Sequence, residues 1–299
     1  MSNMIKKAVK EILGPQNVIN LQTKKRYSRE PFLKDVLNLN KKFEGCCAGK
    51  RCFILGNGPS LNKVDFSLLA DEYTFSVNQL PRNKDFALLK TNFHIWSDWR
   101  FFDLKKESKE DMELLDVMKK VNTGDNRPAV FYRYMAYDMV KEFGLDRELD
   151  IYYYEQVDPV DKLPKFVDFT KLIPGFYTVI HYAVCLAIYM GFSEIYLLGC
   201  DCSGFISTAE AKLGEAEKSL YGYSVSENEK KRMEKVAKQT SLRNELAWYV
   251  GLFDDYQMIN DYCKFHGVEL YNASAATLLE TIRRIDLETV LNGRGTKDK

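Results

Sequence analysis

The chain has 299 residues, of which 45% are hydrophobic and 28% charged, a composition typical of a globular protein with one large or two small domains. Its formal net charge of +1 argues against a nucleic-acid-binding protein. No run of about 18 apolar residues is present, so the sequence predicts no transmembrane helix.

Residues 1–48 form a basic segment that we expect to be a helical N-terminal extension. Between Lys6 and Lys42 the chain carries ten cationic and three acidic residues. Apolar residues recur on one helical face from position 4 to 13, and Gly14-Pro15 is predicted to end the helix. Such a helix suits either an anionic membrane surface or packing against the domain or a second subunit. The segment lacks the features of a secretory signal, so we expect a cytoplasmic protein, with peripheral contact to the inner face of the membrane as an open alternative.

The stretch 51–61 is the most informative part of the sequence. An apolar strand at 51–55 runs into the turn Gly56-Asn57-Gly58-Pro59-Ser60. Glycines allow a ligand to approach the backbone closely, and such turns bring N–H groups to a phosphate. Pro59 suits the first turn of a following helix, which Ser60 or Asn62 would cap. The pattern predicts either a nucleotide-phosphate pocket or an ordinary tight turn.

From residue 50 onward the pattern is that of an α/β protein. Strands are predicted at 73–77, 93–96, 129–132, 151–154 (an edge strand), 195–198 and 267–272, and helices near 64–70, 104–121, 178–190 and 244–265. The helix at 178–190 is apolar almost all round and stops at Gly191, as expected for a helix buried against a sheet. With the strand at 195–198 it predicts a right-handed crossover of a parallel sheet.

Residues 203–240 are polar and contain Ala-, Glu- and Lys-rich stretches, which suggests a mobile helical lid. We therefore predict one domain at 49–299 with a lid at about 203–243. Its fold is expected to be α/β, with a Rossmann-like, mostly parallel sheet and helices on both faces.

Polar residues follow nearly every predicted strand. Parallel sheets bind ligands outside the carboxyl ends of their strands. Those ends carry Gly56-Asn57-Gly58, Asn78-Gln79, Ser97-Asp98, Gly199-Cys200-Asp201 and Asn272-Ala273-Ser274. The amides suit a base or sugar because they donate and accept hydrogen bonds, and Asp201 suits a ribose diol. The alternative is that these residues are polar only because loops are hydrated.

Several catalytic classes find no support in the sequence. No Asp-x-Asp pair is present to hold a divalent metal on a diphosphate, and no Walker A motif follows a strand. The seven cysteines are scattered and indicate reduced thiols, and three histidines are few for a metal site. We expect no metal and no cofactor.

Two residues are candidates for a general base, should the reaction need one to take a hydroxyl proton. Asp98 lies at a strand end, and His181 lies near the start of the buried helix. The alternative for His181 is a structural role in the core.

The segments 52–61 and 74–79 resemble the start of the bacterial lipooligosaccharide sialyltransferases. The run from Ala187 to Asp201 resembles the same family and, more closely, capsule-locus proteins similar to the archaeal hydroxymethylpterin diphosphokinase. The ending 267–274 has a counterpart in that second set. The resemblance covers about residues 50–102 and 175–290.

The resemblance implies a Rossmann-like glycosyltransferase, with a GT-A-like variant of the fold, that binds a CMP-sugar without metal. It places Asn57 and Gly58 at the donor phosphate and sugar, Asn78 and Gln79 on the donor, and Asp201 on the ribose. Tyr221 and Tyr223 would serve the leaving phosphate. The sequence departs from the sialyltransferases in two places: Phe176 replaces an arginine, and the segment 248–255 has no histidine.

We therefore expect a metal-independent glycosyltransferase of surface polysaccharide synthesis. Its donor would be a CMP-activated sialic or related ulosonic acid, and its acceptor a saccharide or a lipid-linked saccharide; a homo-oligomer is left open. The alternatives are an ATP- and magnesium-dependent diphosphokinase and a non-catalytic nucleotide-binding protein. The predicted catalytic residues are Asp98 and His181, and the predicted binding residues are Gly56, Asn57, Gly58, Ser60, Asn78, Gln79, Ser97, Thr178, Gly199, Asp201, Tyr221 and Tyr223.

Overall fold

The computed structural model describes residues 3–124, 126–214, 221–224, 226–227, 230–231, 236 and 239–293. The strands in chain order are β1 (Arg51–Leu55), β2 (Tyr73–Val77), β3 (Phe93–Trp96), β4 (Ala129–Arg133), β5 (Asp150–Pro159), β6 (Leu172–Gly175), β7 (Glu194–Leu198) and β8 (Glu269–Asn272). They form one sheet in the order β6-β5-β4-β3-β2-β1-β7-β8, and every neighbouring pair is parallel.

The helices lie around this sheet. The α-helices are α1 (Asn3–Arg29), α2 (Pro31–Asn38), α3 (Phe86–Leu89), α4 (Lys109–Lys119), α5 (Tyr137–Glu142), α6 (Leu145–Glu148), α7 (Val179–Tyr189), α8 (Gly204–Leu213), α9 (Leu242–Phe265) and α10 (Leu287–Asn292). Short 3-10 helices occupy Leu39–Phe43, Pro59–Lys63, Phe66–Leu69, Leu80–Arg82, Trp99–Phe102 and Tyr134–Ala136.

Both faces of the sheet are buried, and this explains why β1 is apolar from Cys52 to Leu55. Cys52 and Ile54 belong to the apolar cluster that contains α7, whereas Phe53 and Leu55 belong to a second cluster with the Phe66–Leu69 turn. Successive side chains of a strand point to opposite faces, so a strand covered on both sides cannot alternate between apolar and polar residues. The predicted α/β fold with a parallel sheet and helices on both faces is confirmed.

Helix α7 is the crossover that connects the two halves of the sheet. Every residue from Val179 to Tyr189 is buried, and the helix packs on β1, β2 and β3. The chain then turns at Gly191, whose φ of 87° is strained for other residues, and enters β7. The predicted buried helix followed by a core strand is thereby confirmed.

The helix end predicted at Gly14-Pro15 in the N-terminal segment is confirmed. The backbone there is non-helical (φ 71°, ψ 158°), but the helix resumes and continues to Arg29. Pro15 follows this break, where a proline fits the first turn of a new helical stretch and costs no hydrogen bond. The Gly-Pro pair therefore ends the first helical stretch of α1, and a second stretch follows it to Arg29.

The prediction that 151–154 is an edge strand is wrong. It is part of β5, which is longer than expected and lies between β4 and β6. The true edge is β6, a four-residue strand that contains Pro174 and Gly175. Within the described part of the chain, each helix is too short or too polar to cross a bilayer.

Candidate functional site

The connectivity of the sheet reverses between β1 and β7. From β1 the chain builds outward through β2 to β6, and it then crosses back so that β7 and β8 extend the opposite side. In open parallel sheets the crevice for a ligand lies at the carboxyl ends of the strands beside such a reversal. Here these ends carry the glycine turn, Gly56-Asn57-Gly58, and the segment Gly199-Cys200-Asp201.

The glycine turn and the end of β7 bond directly to each other. The N–H of Gly56 donates to the Leu198 carbonyl (2.7 Å), and that of Gly58 donates to the Gly199 carbonyl (2.8 Å). A Cβ added at Gly58 would lie 2.5 Å from Asp201 Cγ, so no side chain fits there. The space that these glycines leave is thus occupied by the loop after β7 and not by a ligand. The N–H groups of Gly56 and Gly58 are already bonded to that loop.

Asp201 closes the same arrangement. Its Oδ2 accepts from the Ser60 N–H (2.8 Å), and its Oδ1 accepts from the Ser60 hydroxyl. This carboxylate therefore accepts from a free N–H in the first turn of the 3-10 helix Pro59–Lys63. We expected Ser60 or Asn62 to cap this helix, but its N-cap residue is Gly58. Burial raises the pKa of Asp201, while its bonds to Ser60 act in the opposite direction.

Asn57 is the polar residue of the turn that remains unsatisfied. Its Oδ1 is buried and has no hydrogen-bond partner among the described residues. Its carbonyl accepts from the N–H of Gly222 (2.9 Å), so the segment 221–223 from the predicted lid lies on the glycine turn. The rings of Tyr221 and Tyr223 stack with centroids 5.1 Å apart. The two predicted tyrosines and the glycine turn are therefore brought together.

Polar groups at the ends of β2 and β3 continue the same edge. Asn78 has a positive φ of 46°, and its Oδ1 accepts from the Ser97 N–H (3.2 Å). Gln79 is buried, and its Oε1 accepts from Arg82 Nε (2.7 Å). These amides hold the loops after β2 and β3, and their amide nitrogens remain as donors.

The two candidate bases occupy different environments. Asp98 is exposed beside Ser97 and accepts from the Arg100 N–H (3.1 Å) as the cap of a 3-10 helix. His181 is fully buried, and its Nδ1 lies 3.6 Å from Asp255 Oδ2. Because an imidazole with no exposed surface cannot meet an acceptor hydroxyl without rearrangement, Asp98 is the better placed of the two.

His181 nevertheless lies near the site. Thr178 caps α7 by accepting from the Ile180 N–H (3.4 Å), and the His181 ring packs 4.3 Å from the ring of Tyr256. Tyr256 in turn contacts the thiols of Cys200 and Cys202 next to Asp201. Burial lowers the pKa of His181, and the nearby Asp255 acts in the opposite direction.

Several residues at this edge were not predicted as site residues. The Asn83 amide donates to the Gly222 carbonyl, and Asp255 accepts from the Tyr177 N–H (3.1 Å). Ser274 and Thr277, after β8, bond to the N–H and carbonyl of Cys200. Of these residues, only Ser274 could have been found from the sequence, because it follows the last predicted strand. The positions of the others depend on how distant segments of the chain meet.

Comparison with protein-family models and with curated proteins gave no match. Among solved structures, the chain is similar to the sialyltransferase CstII from Campylobacter jejuni, solved in complex with a substrate analogue, cytidine-5'-monophosphate. The two chains are 18% identical, and the alignment covers 80% of this chain and 85% of that one with a TM-score of 0.42.

Proposed function

We propose that the protein is a metal-independent glycosyltransferase that uses a CMP-activated sugar, such as a sialic or related ulosonic acid, and a saccharide acceptor. The observation that carries the proposal is the set of polar residues at the carboxyl edge beside the β1–β7 reversal, where the buried Oδ1 of Asn57 has no partner among the described residues. A buried amide oxygen normally has a donor, and a ligand would provide it.

The side chains at this edge suit the parts of such a donor. Asn57 and Asn78 offer amide groups to a base, a sugar or a phosphate. A carboxylate has about four acceptor positions, so Asp201 can bind a ribose diol in addition to Ser60. The hydroxyls of Tyr221 and Tyr223 would donate to the phosphate of the leaving CMP.

The transfer step requires only these groups. The acceptor oxygen forms a bond to the anomeric carbon of the sugar, and the bond from that carbon to the phosphate oxygen of CMP breaks. The carboxylate of Asp98 takes the proton of the acceptor hydroxyl. CMP leaves with the electron pair of the broken bond.

The proposal is tested by following CMP release from CMP-N-acetylneuraminate with a saccharide acceptor in EDTA. We expect Asp98→Asn to lose turnover by about a hundredfold or more, the usual contribution of a general base. Asparagine still caps the helix, so the variant should fold and bind CMP. Asp103→Asn, an exposed change in the same loop, is the control. Full turnover by Asp98→Asn would overturn the assignment of the base.

One observation favours a second function, that of a nucleotide-binding protein without catalysis. His181, one of the two candidate bases, is fully buried and cannot meet an acceptor hydroxyl without rearrangement. This reading predicts that CMP binds and that no acceptor leads to turnover.

A further inference from the structure

A cavity lies at the carboxyl edge of the sheet, away from the glycine turn. It has a volume of about 380 Å³ and lies between α1 and the ends of β4 and β5. None of the residues that line it belongs to the candidate nucleotide site.

Its lining is rich in cations. Lys25, Arg26 and Arg29 of α1 and Arg133 at the end of β4 line the cavity, and Asp158 is the carboxylate among the lining residues. Asp158 is opposed by four cations, so the lining has an excess of positive charge. Cavities with positive walls attract anions.

Two carboxylates beside the cavity compensate part of this charge. Arg26 pairs with Glu30 (3.1 Å), and Arg133 lies 3.9 Å from Glu155. Lys25 and Arg29 form no ion pair with a carboxylate among the described residues. The net charge of the cavity and its neighbours therefore remains positive.

In two of the guanidinium groups the Nε–H is also unsatisfied. The Nε atoms of Arg26 and Arg133 are buried and have no acceptor in the described part of the chain. Buried N–H groups in folded proteins are almost always bonded, and charged ones are costly to leave unbonded. A tetrahedral anion with several oxygens could accept from both arginines at once, since guanidinium groups match phosphate geometry.

The cavity is held open by bonds between α1 and the sheet edge. The hydroxyl of Tyr27 donates to the Thr170 carbonyl (2.5 Å), and the Leu172 N–H donates to the Thr23 hydroxyl (3.3 Å). These contacts fix the helical turn that carries the cations, so little ordering is required when an anion binds.

Exposed apolar side chains lie close to this part of the edge. Trp99 is 70% exposed, Phe32 51% and Met135 50%. The 3-10 helices that carry Trp99 and Met135 pack against each other after β3 and β4, and Phe32 follows Arg29 by three residues. Exposed aromatic residues that enter the lipid boundary, with cations nearby that attract anionic headgroups, are typical of proteins that contact a lipid surface. The source of an anion at this site can therefore be a lipid as well as a soluble phosphate.

We propose that the cavity between α1 and the ends of β4 and β5 binds a phosphate or pyrophosphate group through Arg26, Arg29, Arg133 and Lys25. The same chemistry is found in free phosphates and in lipid headgroups. The site is separate from the candidate nucleotide site and does not depend on the function proposed for it.

The first test is a calorimetric titration of the full chain with inorganic pyrophosphate. We expect Arg29→Gln and Arg133→Gln each to weaken binding by about tenfold, as for a lost charge-assisted hydrogen bond. Lys24→Gln removes the same charge from an exposed position of α1 that does not line the cavity, and should change the affinity little. Arg29 is exposed, so its variant should fold even if Arg133→Gln does not.

The second arm identifies the source of the phosphate by cosedimentation with phosphatidylcholine vesicles, with and without phosphatidic acid. Binding only to vesicles with phosphatidic acid, lost in Arg29→Gln and retained in Lys24→Gln, supports a lipid headgroup. Binding of pyrophosphate without vesicle binding supports a soluble phosphate. The proposal is overturned if neither probe binds, or if Lys24→Gln weakens binding as much as the cavity variants do. CMP binding at the candidate nucleotide site is measured separately. Failure of the cavity proposal can therefore be distinguished from failure of the proposed function.

Discussion

Asp201 connects the loop after β7 to the turn after β1. Its two oxygens bond to Ser60, and its side chain fills the space that the missing Cβ of Gly58 leaves. The carboxylate that we propose for the ribose is therefore also a structural bond between two strand ends. Replacing Asp201 would therefore alter both this bond and the proposed ribose contact. A substitution at Gly58 tests the contact between the two strand ends without removing the carboxylate.

Gly58→Ala is expected to destabilise the protein. The new methyl would lie 2.5 Å from Asp201 Cγ and 2.7 Å from the Gly199 carbonyl oxygen, so the strand ends must separate. Overpacking of this kind costs about 1–3 kcal/mol. Urea unfolding measures the loss, and Lys63→Ala, an exposed change in the following 3-10 helix, is the control. Equal stability of Gly58→Ala and the wild type would show that the two loops do not meet as described.

His94 should make the protein sensitive to acid. It is buried in β3 with its Nδ1 2.7 Å from the Ser76 hydroxyl, and burial lowers the pKa of His94 to about 3. Unfolded histidine titrates near about pH 6.5. Below that pH the unfolded state binds a proton that the folded state does not, so the free energy of unfolding falls by up to about 1.4 kcal/mol per pH unit.

Urea unfolding of the wild type and of His94→Gln between about pH 7 and pH 5 tests this. The wild type should lose more stability than the variant as the pH falls, since the variant lacks the buried imidazole. Identical pH profiles would contradict the account.

The sequence predicted which polar residues share one edge of the sheet, but not the bonds among them. Asn57, Asn78 and Asp201 could be placed at this edge because each follows an apolar strand. That Asp201 bonds to Ser60 could not be predicted, because the residues are distant in sequence and meet only when β1 and β7 pair. The burial of His181 likewise depends on α9, which carries Asp255 and Tyr256 against it.

At the scale of elements, the segment 221–223 covers the glycine turn. Gly222 donates to the Asn57 carbonyl, and a Cβ at Gly222 would lie 2.7 Å from Leu61 Cβ and 2.9 Å from the Gly58 carbonyl oxygen. This close contact holds the two tyrosines beside the site.

Gly222→Ala is therefore expected to displace this segment and to weaken CMP binding by about tenfold, the loss of roughly one charged hydrogen bond. The melting temperature without ligand should change little, because the contact lies outside the sheet. Calorimetric titration with CMP measures the effect, and Ser224→Ala, an exposed neighbour, is the matched control. An unchanged affinity in Gly222→Ala would mean that the segment takes no part in nucleotide binding.

Elements with mostly apolar, buried sequences could be predicted, whereas a strand made partly of turn residues could not. Apolar, buried residues predominate in β1, β2, β3, β7 and α7, as a sheet covered on both faces requires. In contrast, β6 includes Pro174 and Gly175, which normally indicate a turn. Proline is tolerated there because β6 is an edge strand, and this was not evident before the sheet order was known.

At the scale of the whole molecule, the N-terminal segment packs on the sheet. Leu33 and Leu37 of α2 are fully buried in a cluster with Trp96 and Tyr132. The amide of Asn40 donates to the carbonyls of Tyr153 (2.7 Å) and Phe169 (2.8 Å). We therefore propose that the extension at 1–48 contributes to the stability of the domain at 49–299.

Leu37→Ala should lower the free energy of unfolding by about 2–5 kcal/mol, as for a fully buried leucine. Leu39→Ala, two residues away and 57% exposed, should change it by no more than about 0.5 kcal/mol. Urea unfolding compares the two. If both variants were as stable as the wild type, the N-terminal segment would be a separable extension.

The most direct test of the proposed function is a thermal-shift measurement with CMP, CDP, UDP, GDP and ATP, each in EDTA and in magnesium. A ligand that binds only the folded state raises the melting temperature. The account predicts that CMP raises it in EDTA and that Asn57→Ala abolishes the shift. A shift with ATP only in magnesium, or no shift with any nucleotide, would contradict it.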